Sequence, residues 1–198
     1  MASSDKFPGS ATYTGTERWW NPENITADDG SYSRCSVPLG DYGGYLIGYN
    51  FGFSIPTGAT INGIKVEVEG HVSEYNKIYL ADISLGSWDD SSFTQNGDTK
   101  HDTTKWGQNW TVFTYGSSTD TWNATLNRTV VNDSKFAVSI RMYNTYNHDV
   151  TAYVDYVKIT VYYTTPSIAK IMGVAKANIS KVNGVSVSSI SKIMGVTP

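Results

Sequence analysis

The sequence predicts an all-β fold, an antiparallel jelly-roll-like β-sandwich followed by a short repeat tail. Three observations support this prediction. Apolar and polar residues alternate along several segments, which is typical of strands with one face in a core and the other in water. Aromatic residues make up 13% of the chain, and aromatic and β-branched side chains fit a pleated sheet surface. Turn-forming residues separate these segments. None of the segments has the apolar pattern of an amphipathic helix.

The predicted strands follow one another along the first 165 residues. Alternation is clearest at 64–69, 135–142 and 157–163, where every second residue is apolar. Further strand-like segments lie at 31–37, 44–55, 76–85, 109–115 and 121–131. Residues 86–109 are rich in Gly, Ser, Asp and Asn, so we interpret them as a long loop at one end of the sandwich. About eight strands without a helix favour a jelly roll.

The charge distribution divides the chain at about residue 165. Residues 166–198 contain four lysines and no acidic residue, and no aromatic residue follows Tyr163. Since the whole chain carries −3 and this segment carries +4, residues 1–165 carry −7. We therefore predict an acidic β-sandwich domain at 1–165 and a basic tail at 166–198.

The tail consists of three 11-residue units of the form I-x-K-[IV]-x-G-V. The repeated apolar and lysine positions are Ile168, Lys170, Ile171, Val174, Ile179, Lys181, Val182, Val185, Ile190, Lys192, Ile193 and Val196. Units this small cannot bury their apolar side chains alone, so we expect the tail to dock on a partner surface, and its lysines favour an acidic one. A flexible linker is the alternative interpretation.

Several classes of function are disfavoured by the residue types present. The three histidines lack partners at metal-ligand spacing, and the sequence has no serine-hydrolase, zinc-protease or phosphate-loop motif. A glycosidase needs only two carboxylates from separate strands, but the acidic residues here lie mostly on wet strand faces or in polar loops. A pI of about 5.5 argues against nucleic-acid binding. We expect a protein without enzymatic activity.

Other features concern the site of synthesis and redox chemistry. No stretch approaches the ~20 apolar residues of a membrane span, and the first eight residues have no apolar signal region. We therefore expect synthesis in a cytoplasm and no contact with membranes. Cys35 is the single cysteine, so it forms neither an internal disulfide nor a thiolate metal cage.

Residues 86–110 contain the residue types that a sugar-binding site requires. The candidate contacts are Trp88, Asp90, Trp106, Asn109 and Trp110. Aromatic faces can stack on sugar rings, while carboxylates and amides hydrogen-bond to hydroxyl groups. The preferred interpretation is structural, with Trp106 and Trp110 closing an open end of the sandwich. The pair Trp19–Trp20 is similarly interpreted as an edge segment held against the core.

Two pairs of adjacent acidic residues are candidate calcium ligands. Asp28–Asp29 and Asp89–Asp90 could contribute oxygens, but neither has EF-hand spacing, and turns that use the side chains explain them better. We therefore expect no cofactor, with a structural Ca²⁺ only weakly supported. Asp155 falls in phase with Val157, so an inward carboxylate with a hydrogen-bonding partner is predicted there.

Three segments together resemble a known family. They are WNPENITADDG at 20–30, NFGFSIPTGATINGIKVEV at 50–68 and VDYVKITVYY at 154–163. In this order they resemble a β-sandwich domain found in structural proteins of tailed bacteriophages, and the tail repeats are similar to those that follow such domains. The resemblance implies a place in the capsid decoration, neck, tail or fibre, and it brings no catalytic residues.

The leading functional hypothesis is a non-enzymatic structural protein of a virus particle. Its sandwich would be displayed outward, and its tail would bind another virion subunit or a further copy of the chain. One alternative is a carbohydrate-binding module or adhesin that uses residues 86–110 to bind host-surface glycans. Another is a bacterial extracellular fibre subunit. The first hypothesis places the protein in the virion after synthesis in the host cytoplasm, and the last places it outside the cell.

Overall fold

The computed structural model describes residues 1–166 and the backbone of four two-residue strands between 170 and 186. Residues 1–166 form two antiparallel sheets that enclose one hydrophobic core. The elements are β1 (Ala2–Lys6), β2 (Ser10–Thr14), β3 (Trp19–Trp20), a 3-10 helix (Pro22–Thr26), β4 (Ser33–Val37), β5 (Tyr45–Tyr49), β6 (Thr60–Val72), β7 (Ile78–Trp88), β8 (Phe93–Gln95), β9 (Thr111–Gly116), α1 (Arg128–Asn132), β10 (Phe136–Asn144) and β11 (Val150–Thr164).

The two sheets differ in their strand order. The six-stranded sheet runs β3-β4-β11-β6-β9, and β1 pairs with the second half of β11 beyond the end of β4. The five-stranded sheet runs β2-β5-β10-β7-β8. Both sheets are antiparallel throughout, so the predicted all-β sandwich with a jelly-roll-like arrangement is confirmed.

The predicted alternation is confirmed in the longest strands. Val66 and Val68 of β6, Ile140 of β10 and Ile159 of β11 are buried in the core. Strands also lie within the predicted segments 31–37 and 44–55, and strands overlap the segments 76–85 and 109–115 but end at Trp88 and Gly116. Trp19 is buried in β3 and donates its indole N–H to the carbonyl of Gly44 at 2.8 Å, so the expectation for this edge segment is confirmed.

The prediction of a strand at 121–131 is wrong. Trp122 and Asn123 have φ of 58° and 48°, and the chain then enters the short helix α1. The side chain of Asn127 caps this helix by accepting a hydrogen bond from the Val130 N–H. Trp122 is buried, and its indole N–H donates to the carbonyl of Ile64 at 2.9 Å, so the segment covers an end of the core without joining a sheet.

The prediction of one long loop at 86–109 is only partly correct. Strand β7 continues to Trp88 and forms a hairpin with β8, which contributes an edge to the five-stranded sheet. The sequence analysis does not predict β1 or β2: β1 is polar after Ala2, and β2 has only Ala11 and Tyr13 as apolar residues facing the core.

Asp155 does not point into the core, contrary to the prediction. The pairing of β11 with β6 shifts between Val154 and Tyr156, so Asp155 is the extra residue of a β-bulge. Its carboxylate lies with those of Asp28 and Glu69 on the outer side of the six-stranded sheet. The bulge changes the inward phase of β11, which is even-numbered before it, as at Val154, and odd-numbered after it, as at the fully buried Val157.

The tail falls almost entirely outside the described residues. Its four described strands form two short antiparallel ladders, β12 (Lys170–Ile171) with β13 (Val174–Ala175) and β14 (Lys181–Val182) with β15 (Val185–Ser186). The burial and the partner surface predicted for the tail residues therefore stay predictions. Among the described residues, no helix has the length and apolar character to cross a membrane.

Cys35 provides a probe of the stability of the core. Its side chain is fully buried, and burial raises the pKa of the thiol to about 11. We expect a thiol reagent at pH 8 to label Cys35 only through unfolding, so that labelling and circular dichroism give the same urea midpoint. Rapid stoichiometric labelling in native buffer would contradict the placement of β4 in the core.

Candidate functional site

A groove of about 620 Å³ lies on the outer face of the five-stranded sheet. The register places Ser139 of β10 opposite Ser84 of β7 and Ile47 of β5, and Arg141 opposite Asp82. These side chains face away from the core because their sequence neighbours are buried in it. The groove is lined by Thr14, Tyr45, Asp82, Ser84, Ser91, Ser92, Phe93, Gln95, Thr99 and Ser139.

Two serines lie at the floor of this groove. Ser84 is 6% exposed, and its hydroxyl shares a hydrogen bond of 2.8 Å with the hydroxyl of Thr99. Ser139 is 3% exposed, and its Oγ has no hydrogen-bond partner. A buried hydroxyl without a partner is costly, and a ligand hydroxyl entering the groove can supply the missing partner.

Aromatic side chains border the polar floor. Tyr45 is half-buried, and Arg141 fixes it by donating a hydrogen bond to its hydroxyl at 3.1 Å while the guanidinium lies 4.6 Å from the centre of its ring. Phe93 of β8 lies over Gly86, where a Cβ atom would overlap the phenyl ring. The glycine therefore allows Phe93 to form one wall of the groove.

A second, separate hollow of about 230 Å³ lies on the same face. Trp88 and Tyr49 line it, with ring centroids 6.3 Å apart, and Asp90 lies at its rim with a φ of 72°. Trp88 also packs with Ile47 in a small apolar cluster separate from the core. Of the five sugar-contact candidates, the structure thus places Trp88 and Asp90 beside the groove.

Two carboxylates near the groove interact with neighbouring groups of the protein. Asp82 lies 3.3 Å from Nδ1 of His101. Hydrogen bonds from the backbone N–H of Ser92 and from Ser91 lower the pKa of the exposed Asp89 to about 2. The turn between β7 and β8 is therefore ordered by its own carboxylate, as the turn interpretation of Asp89–Asp90 predicts.

The remaining sugar-contact candidates lie elsewhere. Trp106 is fully buried in the core and stacks on Phe113 with ring centroids 4.5 Å apart. A Cβ atom on Gly70 would overlap its ring, so β6 needs glycine where the indole packs. Trp106 is not accessible to a ligand, and the expectation that it closes the core is confirmed.

Trp110 and Asn109 lie next to the other sheet. Trp110 is 42% exposed, which contradicts the expectation that it closes the core. Its ring centroid is 4.3 Å from that of His71, and His71 stacks on Tyr153 at 4.5 Å. The aromatic residues predicted as one loop cluster are therefore divided between a groove, a core position and the opposite sheet.

Sequence reasoning missed the residues that form the centre of the groove. Ser139 was assigned to the wet face of a predicted strand, and Tyr45 and Ser84 lay in strand-like segments without a functional assignment. The signal available was the set of small polar residues on the outer face of two strands. Only the pairing of β5, β10 and β7 brings them together with Phe93.

The comparisons with known proteins show similarity of fold alone. No known protein family model matches the chain, and no curated protein is significantly similar to it. A family 4 carbohydrate-binding module is similar with 12% identity and a TM-score of 0.39, over 78% of this chain and 92% of the other. The family 11 carbohydrate-binding module from Clostridium thermocellum, in complex with a β-1,3-1,4-mixed-linked tetrasaccharide, has 14% identity and a TM-score of 0.37, over 79% and 87%. The tripod from the baseplate of bacteriophage Tuc2009 has 13% identity and a TM-score of 0.30, over 96% of this chain and 75% of the other.

The burial of Trp106 and the exposure of Trp110 can be tested directly. Trp106→Ala should lower the free energy of unfolding by about 3 to 5 kcal/mol, because it leaves a cavity in the core. Trp110→Ala should lower the free energy of unfolding by about 1 kcal/mol or less, because the side chain is partly exposed to solvent. Urea denaturation of both variants measures the difference, and equal losses would contradict the burial of Trp106.

Proposed function

We propose that the chain is a non-catalytic glycan-binding domain and that the groove on the five-stranded sheet is its binding site. The observation that carries the proposal is the floor of the groove, where the Ser139 hydroxyl is buried without a hydrogen-bond partner. A sugar hydroxyl is both donor and acceptor, so it can satisfy this group. The volume of about 620 Å³ lies within the usual range for small-ligand sites.

The lining of the groove supports a neutral, hydroxyl-rich ligand. Serine, threonine and glutamine side chains provide neutral donors and acceptors, while Tyr45 and Phe93 provide rings on which the apolar faces of sugars can stack. Asp82 is the charged residue of this lining, and it lies 3.3 Å from Nδ1 of His101. The second hollow beside Trp88 lies on the same face, which favours a chain of several sugar units over a single one.

Binding assays on groove variants test this proposal. Phe93→Ala should weaken binding to a glycan identified on a printed array by about tenfold or more, because an aromatic wall is lost. Ser139→Val should weaken binding to a similar extent without loss of stability, because it removes a buried unpartnered hydroxyl and fills the floor. Isothermal titration calorimetry and thermal unfolding measure both effects.

Trp110→Ala is the matched control, since it removes a half-exposed aromatic residue from the opposite sheet. It should leave glycan affinity unchanged. Absence of any saturable glycan binding by the wild-type chain would refute the proposal, and so would wild-type affinity in Phe93→Ala and Ser139→Val together.

The second candidate function is a structural protein of a virus particle. The observation that favours it is the repeat tail, whose regularly spaced isoleucines, valines and lysines are suited to docking on an acidic subunit. The two functions are compatible, because a displayed sandwich can bind glycans while the tail attaches it to a particle. A place in the virion, in the capsid decoration or in a fibre is part of this proposal.

Truncation of the tail tests the second candidate. A protein ending at Thr165 should remain folded and monomeric but fail to join its oligomer or particle, because the nine apolar side chains of the repeats are missing. Ile171→Asp with Val182→Asp in the full chain should have the same effect. Size-exclusion chromatography and particle incorporation measure it, and unimpaired assembly of the truncated protein would show that the tail is a linker.

A further inference from the structure

Three carboxylates from distant parts of the sequence meet on the outer side of the six-stranded sheet. Asp28 follows the 3-10 helix, Glu69 lies in β6, and Asp155 is the bulged residue of β11. One oxygen of each lies within 4.8 Å of the others. Ionised carboxylates this close to one another repel strongly, and a cation between them would offset the repulsion.

The position of Asp155 is the second and independent observation. The residue is 5% exposed, and its Oδ1 has no hydrogen-bond partner among the described residues. A buried carboxylate oxygen normally accepts hydrogen bonds or coordinates a metal. The neighbouring carboxylates of Asp28 and Glu69 are acceptors when ionised, so they cannot donate a hydrogen bond to it.

Within residues 1–166 no lysine or arginine neutralises the three carboxylates. The nearby Lys65 and Lys158 instead pair with Glu67, at 3.1 and 3.3 Å. Burial raises the pKa of Asp155 and of Glu69, and the charge of Asp28 adds to both shifts. Interactions with the backbone N–H groups of Gly30 and Asp29 offset only part of the rise for Asp155. Burial and the same negative groups raise the pKa of Tyr156 to about 12.

We propose that Asp28, Glu69 and Asp155 form a binding site for a divalent cation, and that the cation is Ca²⁺. Three carboxylates supply between three and six oxygens, and water or loop carbonyls can complete the six to eight ligands that Ca²⁺ takes. All three side chains offer oxygen only, which suits a hard cation and not Zn²⁺ with its preference for nitrogen and sulfur. Ca²⁺ is favoured over Mg²⁺ because it accepts irregular geometry.

A cation at this position would connect three parts of the chain. It would attach the loop after the 3-10 helix to β6 and to the bulge of β11, and it would neutralise a buried charge. The site lies on the sheet opposite the groove, so the proposal does not depend on glycan binding. Its expected effect is a gain in the stability of the folded chain.

The experiment uses the full chain freed of metal with EDTA and then dialysed. Calorimetric titration with CaCl₂ should show one site, and the melting temperature should rise by about 5 to 10 °C at a hundredfold excess over the dissociation constant. MgCl₂ at equal concentration should give a smaller shift. Saturable binding of Mg²⁺ with no preference for Ca²⁺ would overturn the assignment of the ion.

Variants distinguish binding at this cluster from binding elsewhere. Asp155→Asn and Glu69→Gln should each abolish the Ca²⁺-induced rise, and without metal both should melt at or above the wild-type temperature because repulsion is relieved. Asp5→Asn removes an exposed acidic residue from β1 and should keep the full rise. A wild-type chain that binds no Ca²⁺ at 10 mM would overturn the proposal, as would a full rise in both cluster variants.

Discussion

The pairing of β7 with β10 is the constraint on which the rest of the structure depends. These neighbouring strands place Ile83 and Ile140 in the core and Ser84 and Ser139 on the outer face, in one register. Because side chains alternate with a period of two, a shift by one residue would bury the serines and expose the isoleucines. The hydrophobic effect that forms the core therefore also fixes the floor of the groove. The Ser139 hydroxyl is left without a partner because its strand position is determined by the apolar residues on either side.

The six-stranded sheet shows what one extra residue does to the same alternation. A register shift between Val154 and Tyr156 changes the core-facing positions of β11 from even to odd numbers, and Asp155 at the shift lies near Glu69. Without the bulge, the even-numbered phase of Ala152 and Val154 would continue, and Val157 would face away from the core. The bulge thus lets both halves of β11 bury apolar side chains, and it leaves Asp155 in a charged cluster. The groove and the cluster lie on opposite outer faces, so each can act without altering the other.

The sequence predicts the sandwich because apolar alternation is strong wherever a strand has one wet face. It does not predict β1 and β2, whose places depend on backbone pairing with strands distant in sequence, or the end of the core closed by Trp122. The candidate site was harder to predict. Trp88 and Asp90 could be selected by residue type, but Trp106, selected in the same way, is in the core. Tyr45, Ser84 and Ser139 come from three strands, and their proximity follows from a strand order that local patterns do not contain.

Mapping of amide chemical shifts tests the central claim most directly, because it locates a ligand without altering the protein. The labelled full chain is titrated with an oligosaccharide selected on a glycan array. The account predicts saturable shifts on β5, β7, β8 and β10, centred on Tyr45, Ser84, Phe93 and Ser139, with little change around His71 and Trp110. Shifts centred on His71, Tyr153 and Trp110 on the six-stranded sheet would contradict it.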